Sequence, residues 1–261
     1  MKQTLPYKIW MIAYPLGIYY VVATITMFIA EFLLGSGNEK YMLCQIIASG
    51  VTIPFVYRFY RQDQMQWGID KPDPWISKEH ITNTLMIIPI AALIAVGLNN
   101  VIQMSPLITM SSSYQEASNA FYGSTFALEL LGSACITPLL EELLYRGIIF
   151  GRLRKLVGVI PSILISSFIF AFMHFNLVQF IYAFLLGIVL ALCMEHCGHM
   201  YGAVVAHITA NGIAVIRTET GILQNTTDKS TFAITVSIVT LVVGIILLVW
   251  YLKGMKTKET A

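Results

Sequence analysis

Charge is what this chain has least of. It holds 16 Lys and Arg and 14 Asp and Glu in 261 residues, 11 % of the sequence, against 57 % hydrophobic residues. A water-soluble domain carries about 25 % charged residues, so a soluble globule is excluded and a bilayer is the expected solvent. Cysteine is sparse too. Cys44, Cys135, Cys193 and Cys197 lie in or beside apolar runs, which is not the loop-borne spacing of a disulfide framework. Cys193 and Cys197, with His196 and His199 in CMEHCGH, read either as a soft metal site or as packing at a helix end. A cleavable leader is not expected: the run 9–34 exceeds a signal-peptide core, and no small-x-small site precedes GSGNEK. The apolar runs do not alternate with polar residues, which excludes a membrane β-barrel. Internal repeats and low-complexity tracts are lacking as well.

What is present is a series of apolar runs, near 9–34, 41–59, 81–104, 123–150, 159–177, 178–195, 199–217 and 231–252. They predict an all-α, polytopic membrane helix bundle of about eight transmembrane helices, a single membrane domain over 1–261. The N-terminus, the loops after the second, fourth and sixth runs, and the C-terminus hold twelve cations: Lys2, Lys8, Arg58, Arg61, Lys71, Lys78, Arg152, Arg154, Lys155, Lys253, Lys256 and Lys258. The opposite loops hold Lys40, Arg217 and Lys229. The positive-inside bias therefore predicts a cell-membrane protein with both termini cytoplasmic. The stretch 105–124 reads as an external loop holding a short amphipathic helix. Connections of a few residues make the runs from 123 to 217 spatial neighbours.

Against this background TPLLEELLYRG, residues 137–147, stands out. An ionisable group inside a spanning helix is costly unless paired or wet, and marks a functional site by default. Glu129, Glu141, Glu142 and Arg146 lie in the run 123–150, His174 ends FAFMH, and His207 and Asn211 bound HITAN. Glu142 and Arg146 have the spacing and order of an intrahelical ion pair. Glu141 sits about 100° around the helix, on the face of Tyr145. One carboxylate is thus neutralised while the other stays free, although both also suit a helix end at the membrane surface. Phe170 shares a face with His174, and His207 with Asn211. At ~1.5 Å per residue from the cytoplasmic ends, Glu141 and Asn211 lie about 16 Å deep, His207 about 10 Å and His174 about 22 Å. These depths predict a cavity opening to the cytoplasmic half. Pro138 kinks the helix one turn before the acids, either to admit water or simply to fit the bundle.

No serine or cysteine nucleophile lies near this set. A carboxylate, two imidazoles and a carboxamide are suited to activating water: burial strengthens a carboxylate as a base, and imidazole and amide N–H groups can hold an oxyanion. Amide hydrolysis fits these parts. A zinc-type site is the competing version, with Glu141, His174 and His207 as candidate ligands. No H-E-x-x-H occurs, however, and Asn211 has no natural place in a zinc shell.

EELLYR (141–146), FAFMH (170–174) and HITAN (207–211) match E-E-x-x-x-R, F-x-x-x-H and H-x-x-x-N. In this order, on successive apolar runs, they resemble the CPBP family (CAAX protease and bacteriocin-processing, also called Abi), over 123–217. The resemblance implies an intramembrane endopeptidase with a conical cavity. Glu141 would be the water-activating base and His174 its partner, His207 and Asn211 the oxyanion site, and Glu142 with Arg146 the support of geometry and charge. It implies a peptide precursor or membrane-associated protein as substrate, in bacteriocin or signalling-peptide processing or self-immunity, with the lipid bilayer as the other partner and no nucleic acid. The family is described both as glutamate-dependent and as metal-dependent, so a divalent metal such as zinc stays open at this stage. A non-catalytic scaffold or regulator on the same fold is the alternative.

Overall fold

The computed structural model describes residues 4–69 and 78–254, with the backbone alone for 78–83. Nine helices of ten residues or more carry the described chain. They are α1 (Leu5–Leu34), α2 (Asn38–Gln66), α3 (Lys78–Gln103), α4 (Ser112–Phe121), α5 (Phe126–Val157), α6 (Val159–Phe172), α7 (Leu177–Cys197), α8 (Tyr201–Thr220) and α9 (Thr231–Lys253). No strand occurs among the described residues. The turns follow local chemistry. Asn176 and Ser230 accept the backbone N–H of Gln179 and Ala233 at the starts of α7 and α9, and left-handed Gly198 and Gly221 end α7 and α8.

Eight long helices thus lie along the eight expected runs, with α4 the amphipathic helix of the loop 105–124. The number of crossings is a different matter. By length and composition five helices can span: α1, α2, α7, α9 and the Thr84–Gln103 part of α3. A sixth results if α4 and α5, bent by 110°, form one broken span. The 14 residues of α6 reach only about 21 Å, short of the ~30 Å of hydrocarbon. The polar residues His207, Thr209, Asn211 and Arg217 dilute α8. The expected count of eight is therefore not established.

α1 and α9 present their apolar side chains outward, with Phe28, Phe32 and Trp250 70 %, 80 % and 61 % exposed, as suits lipid-facing helices. Inside, α3, α7, α8 and α9 share one cluster built on Ile90, Ile94, Leu190, Ala206 and Tyr251. α1, α2, α5, α6, α7 and α8 share another, around Leu144, Ile148 and Phe170. In lipid such helices associate by close packing, which small residues permit. A Cβ on Gly97 would stand 2.8 Å from Leu241 of α9, and one on Gly244 2.7 Å from Ile94 of α3.

Contacts between helix ends fix which connections lie together. Lys155 over the Trp67 ring, Arg154 on Glu195 and His196 against Tyr251 join one end of the bundle, where α1 begins and α9 finishes. There the buried Arg152 of α5 clamps α1 and α2. It meets both oxygens of Asp63 at 2.6 and 2.9 Å, the Tyr14 hydroxyl at 2.6 Å, and the Met11 carbonyl. The opposite end is joined by Ser124 donating to the Glu39 carbonyl, and by Arg217 donating to Asn100.

Candidate active site

The site grows from an unusual helix. α5 is α-helical at Thr137–Glu142, but it is wound more widely, with i to i+5 bonding, at Leu130–Ile136 and Leu143–Phe150. Such widened turns often mark functional sites. Pro138 explains part of the local pattern. The Thr137 N–H bonds the Gly132 carbonyl five residues back. The next bond in that pattern would run from residue 138 to the Ser133 carbonyl, and proline has no N–H to give. Asn211 of α8 satisfies this carbonyl instead, its Nδ2 donating at 2.8 Å. The missing donor thereby ties α8 to α5 about two turns before the paired acids.

Glu142 is wholly buried, as is Arg146. Arg146 Nη1 donates to Glu142 Oε1 at 3.3 Å. Its Nε lies 3.2 Å from Oε2 but is poorly aligned for a hydrogen bond, so attraction there is coulombic. Nη2 donates to the Gly187 carbonyl of α7 at 3.1 Å, an approach that the missing side chain of Gly187 permits. The guanidinium also stacks 4.6 Å above the Phe170 ring.

The same Glu142 Oε1 lies 2.7 Å from His207 Nδ1 of α8. A carboxylate paired with a guanidinium can only accept, so Nδ1 carries the hydrogen and Nε2 is the ring's working atom. Nε2 lies 3.7 Å from Glu141 Oε2. Glu141 is the less enclosed acid, with 17 % of its side chain exposed. Phe170 organises the rings, packing edge-on against Tyr145, His174 and His207 with centroids 5.0, 5.0 and 5.8 Å away.

Glu141, His174, His207 and Asn211 all line one cavity of about 600 Å³, together with Ser133, Thr137, Tyr145 and Phe170. His174 Nδ1 is 2.9 Å from the Phe170 carbonyl, so this imidazole is oriented by its own helix. Glu142 and Arg146 stand behind the wall and not in it. Glu129 lies elsewhere: it is buried near the start of α5, and its carboxylate accepts the Ser124 N–H at 3.1 Å. Two features of the wall have no counterpart in the motifs. The Tyr145 hydroxyl pairs with that of Tyr20 at 3.0 Å, closing the wall with α1. Thr137, one turn before Glu141, has a buried Oγ1 with no hydrogen-bond partner among the described residues.

The zinc-type arrangement finds no support in this geometry. Among the described residues no three His, Cys, Asp or Glu side chains converge as a metal-binding group. That covers the trio Glu141, His174 and His207, and also the CMEHCGH stretch. There Cys193 is packed in the core, and Cys197 Sγ lies 3.1 Å from the Tyr251 hydroxyl.

The position of the cavity bears on the expected sidedness. The cavity wall takes Tyr41 from the start of α2, Asn99 and Gln103 from the end of α3, Ser118 from α4, Met173 after α6, and Gln179 from the start of α7. All of these lie toward the bundle end away from Leu5 and Lys253. Cytoplasmic termini and a cavity opening to the cytoplasmic half therefore cannot both hold. Depth counting placed the acids near mid-membrane but could not tell toward which side the helices part.

Residues 123–213 match the family described as Rce1-like, Type II CAAX prenyl endopeptidase Rce1-like. This is the CPBP (Abi) family that the three motifs resemble, and the matched segment holds Glu141, Glu142, Arg146, Phe170, His174, His207 and Asn211. It is a family of intramembrane CAAX proteases, and the helical, multi-pass character of the chain agrees with it. The comparisons with curated proteins and with solved structures returned no match.

Proposed function

We propose that this protein is an intramembrane endopeptidase that cleaves a peptide precursor or a membrane-associated protein with water activated by Glu141. The observation that carries the reading is the division of labour between adjacent acids: Glu142 is fixed on Arg146 and His207, while Glu141 faces the cavity. In this scheme Glu141 takes a proton from water held between it and His174, and the water oxygen attacks the scissile carbonyl carbon. Negative charge develops on the carbonyl oxygen. His207, protonated and donating from Nε2, and the second N–H of Asn211 stabilise it. Glu142 accepts from Nδ1 and fixes the ring, and Arg146 holds Glu142 in place. Glu141 then returns its proton to the leaving amine as the tetrahedral intermediate collapses. No metal enters the scheme. Processing of a bacteriocin or signalling peptide, or immunity to one, is the role such a protease would serve.

The test is complementation of a deletion strain by Glu141→Ala and His174→Ala, with membrane levels matched to wild type. Loss of complementation by both variants supports the proposal. Full complementation by both would remove proteolysis as the role.

A further inference from the structure

The position of the cavity, set against the distribution of cations, carries a further inference. At the bundle end away from the cavity, the described cations are Lys8, Arg58, Arg61, Arg152, Arg154, Lys155 and Lys253. At the cavity end there are three, Lys40, Arg217 and Lys229. Lys40 donates to the Leu34 carbonyl, and Arg217 is held by Asn100. Short loops rich in Lys and Arg stay in the cytoplasm.

The cavity's own chemistry points the same way as its setting. Its rim is a fixed polar surface: Gln103 Nε2 of α3 donates to the Tyr114 hydroxyl of α4 at 3.0 Å, and α4 is turned 110° to α5. Of the residues that line the cavity none is Lys or Arg, and Glu141 is the one carboxylate. Toward this end of the bundle acids also outnumber cations, with Glu31, Glu39, Glu116, Glu219 and Asp228 against the three named. A free terminal carboxylate would find no lysine or arginine here and would face the Glu141 carboxylate that already stands beside His207, and burying a poorly paired charge is strongly unfavourable. A neutral or basic segment meets tyrosine hydroxyls, side-chain amides and a carboxylate.

We infer that the cavity opens to the non-cytoplasmic face and takes a neutral or basic interior segment of a peptide or membrane protein exposed there. What happens to that segment rests on the endopeptidase reading. The sidedness and the charge preference do not, and they are measured without catalysis.

The experiment uses the full chain in its own membrane, with one cysteine added at a time and the native chain as background. Ser118→Cys reports the cavity wall, Glu116→Cys the exposed face of the same helix, and Lys155→Cys the opposite end. A membrane-impermeant maleimide is applied to intact cells and to inverted vesicles. Ser118→Cys and Glu116→Cys are expected to label in intact cells several-fold above background, and Lys155→Cys in inverted vesicles alone. Labelling of Glu116→Cys in inverted vesicles alone, or of Lys155→Cys in intact cells, overturns the sidedness whatever Ser118→Cys does. A decapeptide of alternating Ala and Lys should then lower Ser118→Cys labelling several-fold, while its Ala and Glu counterpart leaves it unchanged. If Ser118→Cys does not label, the same two peptides are read by their protection of Glu116→Cys. Equal protection by both peptides, protection by the acidic one alone, or none by either overturns the charge preference.

Discussion

Replacing Glu142 by Gln would remove one charge and two interactions at once. Arg146 would lose its paired carboxylate and be left with the Gly187 carbonyl, the Phe170 face and the more distant Glu141. Breaking a buried pair by removing one partner costs about 3–5 kcal/mol. At about 2–4 °C per kcal/mol for a chain of this size, the midpoint of thermal unfolding should fall by about 6 to 20 °C. His207 would lose its charged acceptor at Nδ1, so its ring is no longer fixed for Nε2 to face Glu141. By itself this variant confounds stability with activity. The pair Glu142→Gln with Arg146→Met separates them, since an ion pair replaced by neutral groups of similar volume is often neutral or stabilising. Unfolding of the purified protein in detergent, followed by tryptophan fluorescence, should show the double variant recovering most of the lost midpoint. Its activity, scored by complementation at matched membrane level, should stay at least about 100-fold below wild type, because a misoriented imidazole is not restored by neutralising the site. A double variant that regained both stability and activity would refute the claim that Glu142 positions His207. So would a single variant as stable as wild type.

Other perturbations have distinct signatures. Glu141→Gln removes a partly exposed carboxylate that no guanidinium holds, so it should abolish complementation while moving the unfolding midpoint by less than the Glu142→Gln change. Asp63→Ala leaves Arg152 buried without its bidentate partner and should destabilise by about 3–5 kcal/mol, seen as a lowered midpoint. Arg154→Ala breaks only the exposed pair with Glu195, and should change stability by at most about 1 kcal/mol and leave complementation intact. Gly187→Ala would bring a Cβ to 3.1 Å from both Arg146 Nη2 and Ser167 Cβ. Such overpacking costs typically about 1–3 kcal/mol and should lower the midpoint accordingly.

Much of this arrangement was legible before any coordinates, and the parts that were not share a cause. Glu142 and Arg146 are four residues apart on one helix, so geometry internal to the helix pairs them. The same reasoning put Glu141 with Tyr145 on another face, and both line the cavity. A short amphipathic helix was expected within 105–124, and Ser112–Phe121 forms one. Contacts between helices leave no such local trace. Nothing in the spacing of HITAN says that His207 turns its Nδ1 to Glu142, and nothing in the run 178–195 singles out Gly187. Asp63 and Arg152 looked like residues of two cytoplasmic loops, yet they form a buried clamp 89 positions apart. Pro138 left two readings open. The structure adds a third element, a carbonyl without a helical donor that Asn211 takes. Toward which end of the bundle the cavity opens was not legible, because depth along a helix is a single coordinate, whereas access depends on where neighbouring helices part.

The most direct test of the central claim is hydrolysis in isotopically labelled water. Protein reconstituted in lipid vesicles with a mixture of neutral and basic peptides, in water enriched in oxygen-18, should generate new C-termini that carry the heavy oxygen. The Glu141→Gln variant should generate none above the rate of empty vesicles. New termini appearing at equal rates with the wild-type and Glu141→Gln proteins would contradict the account.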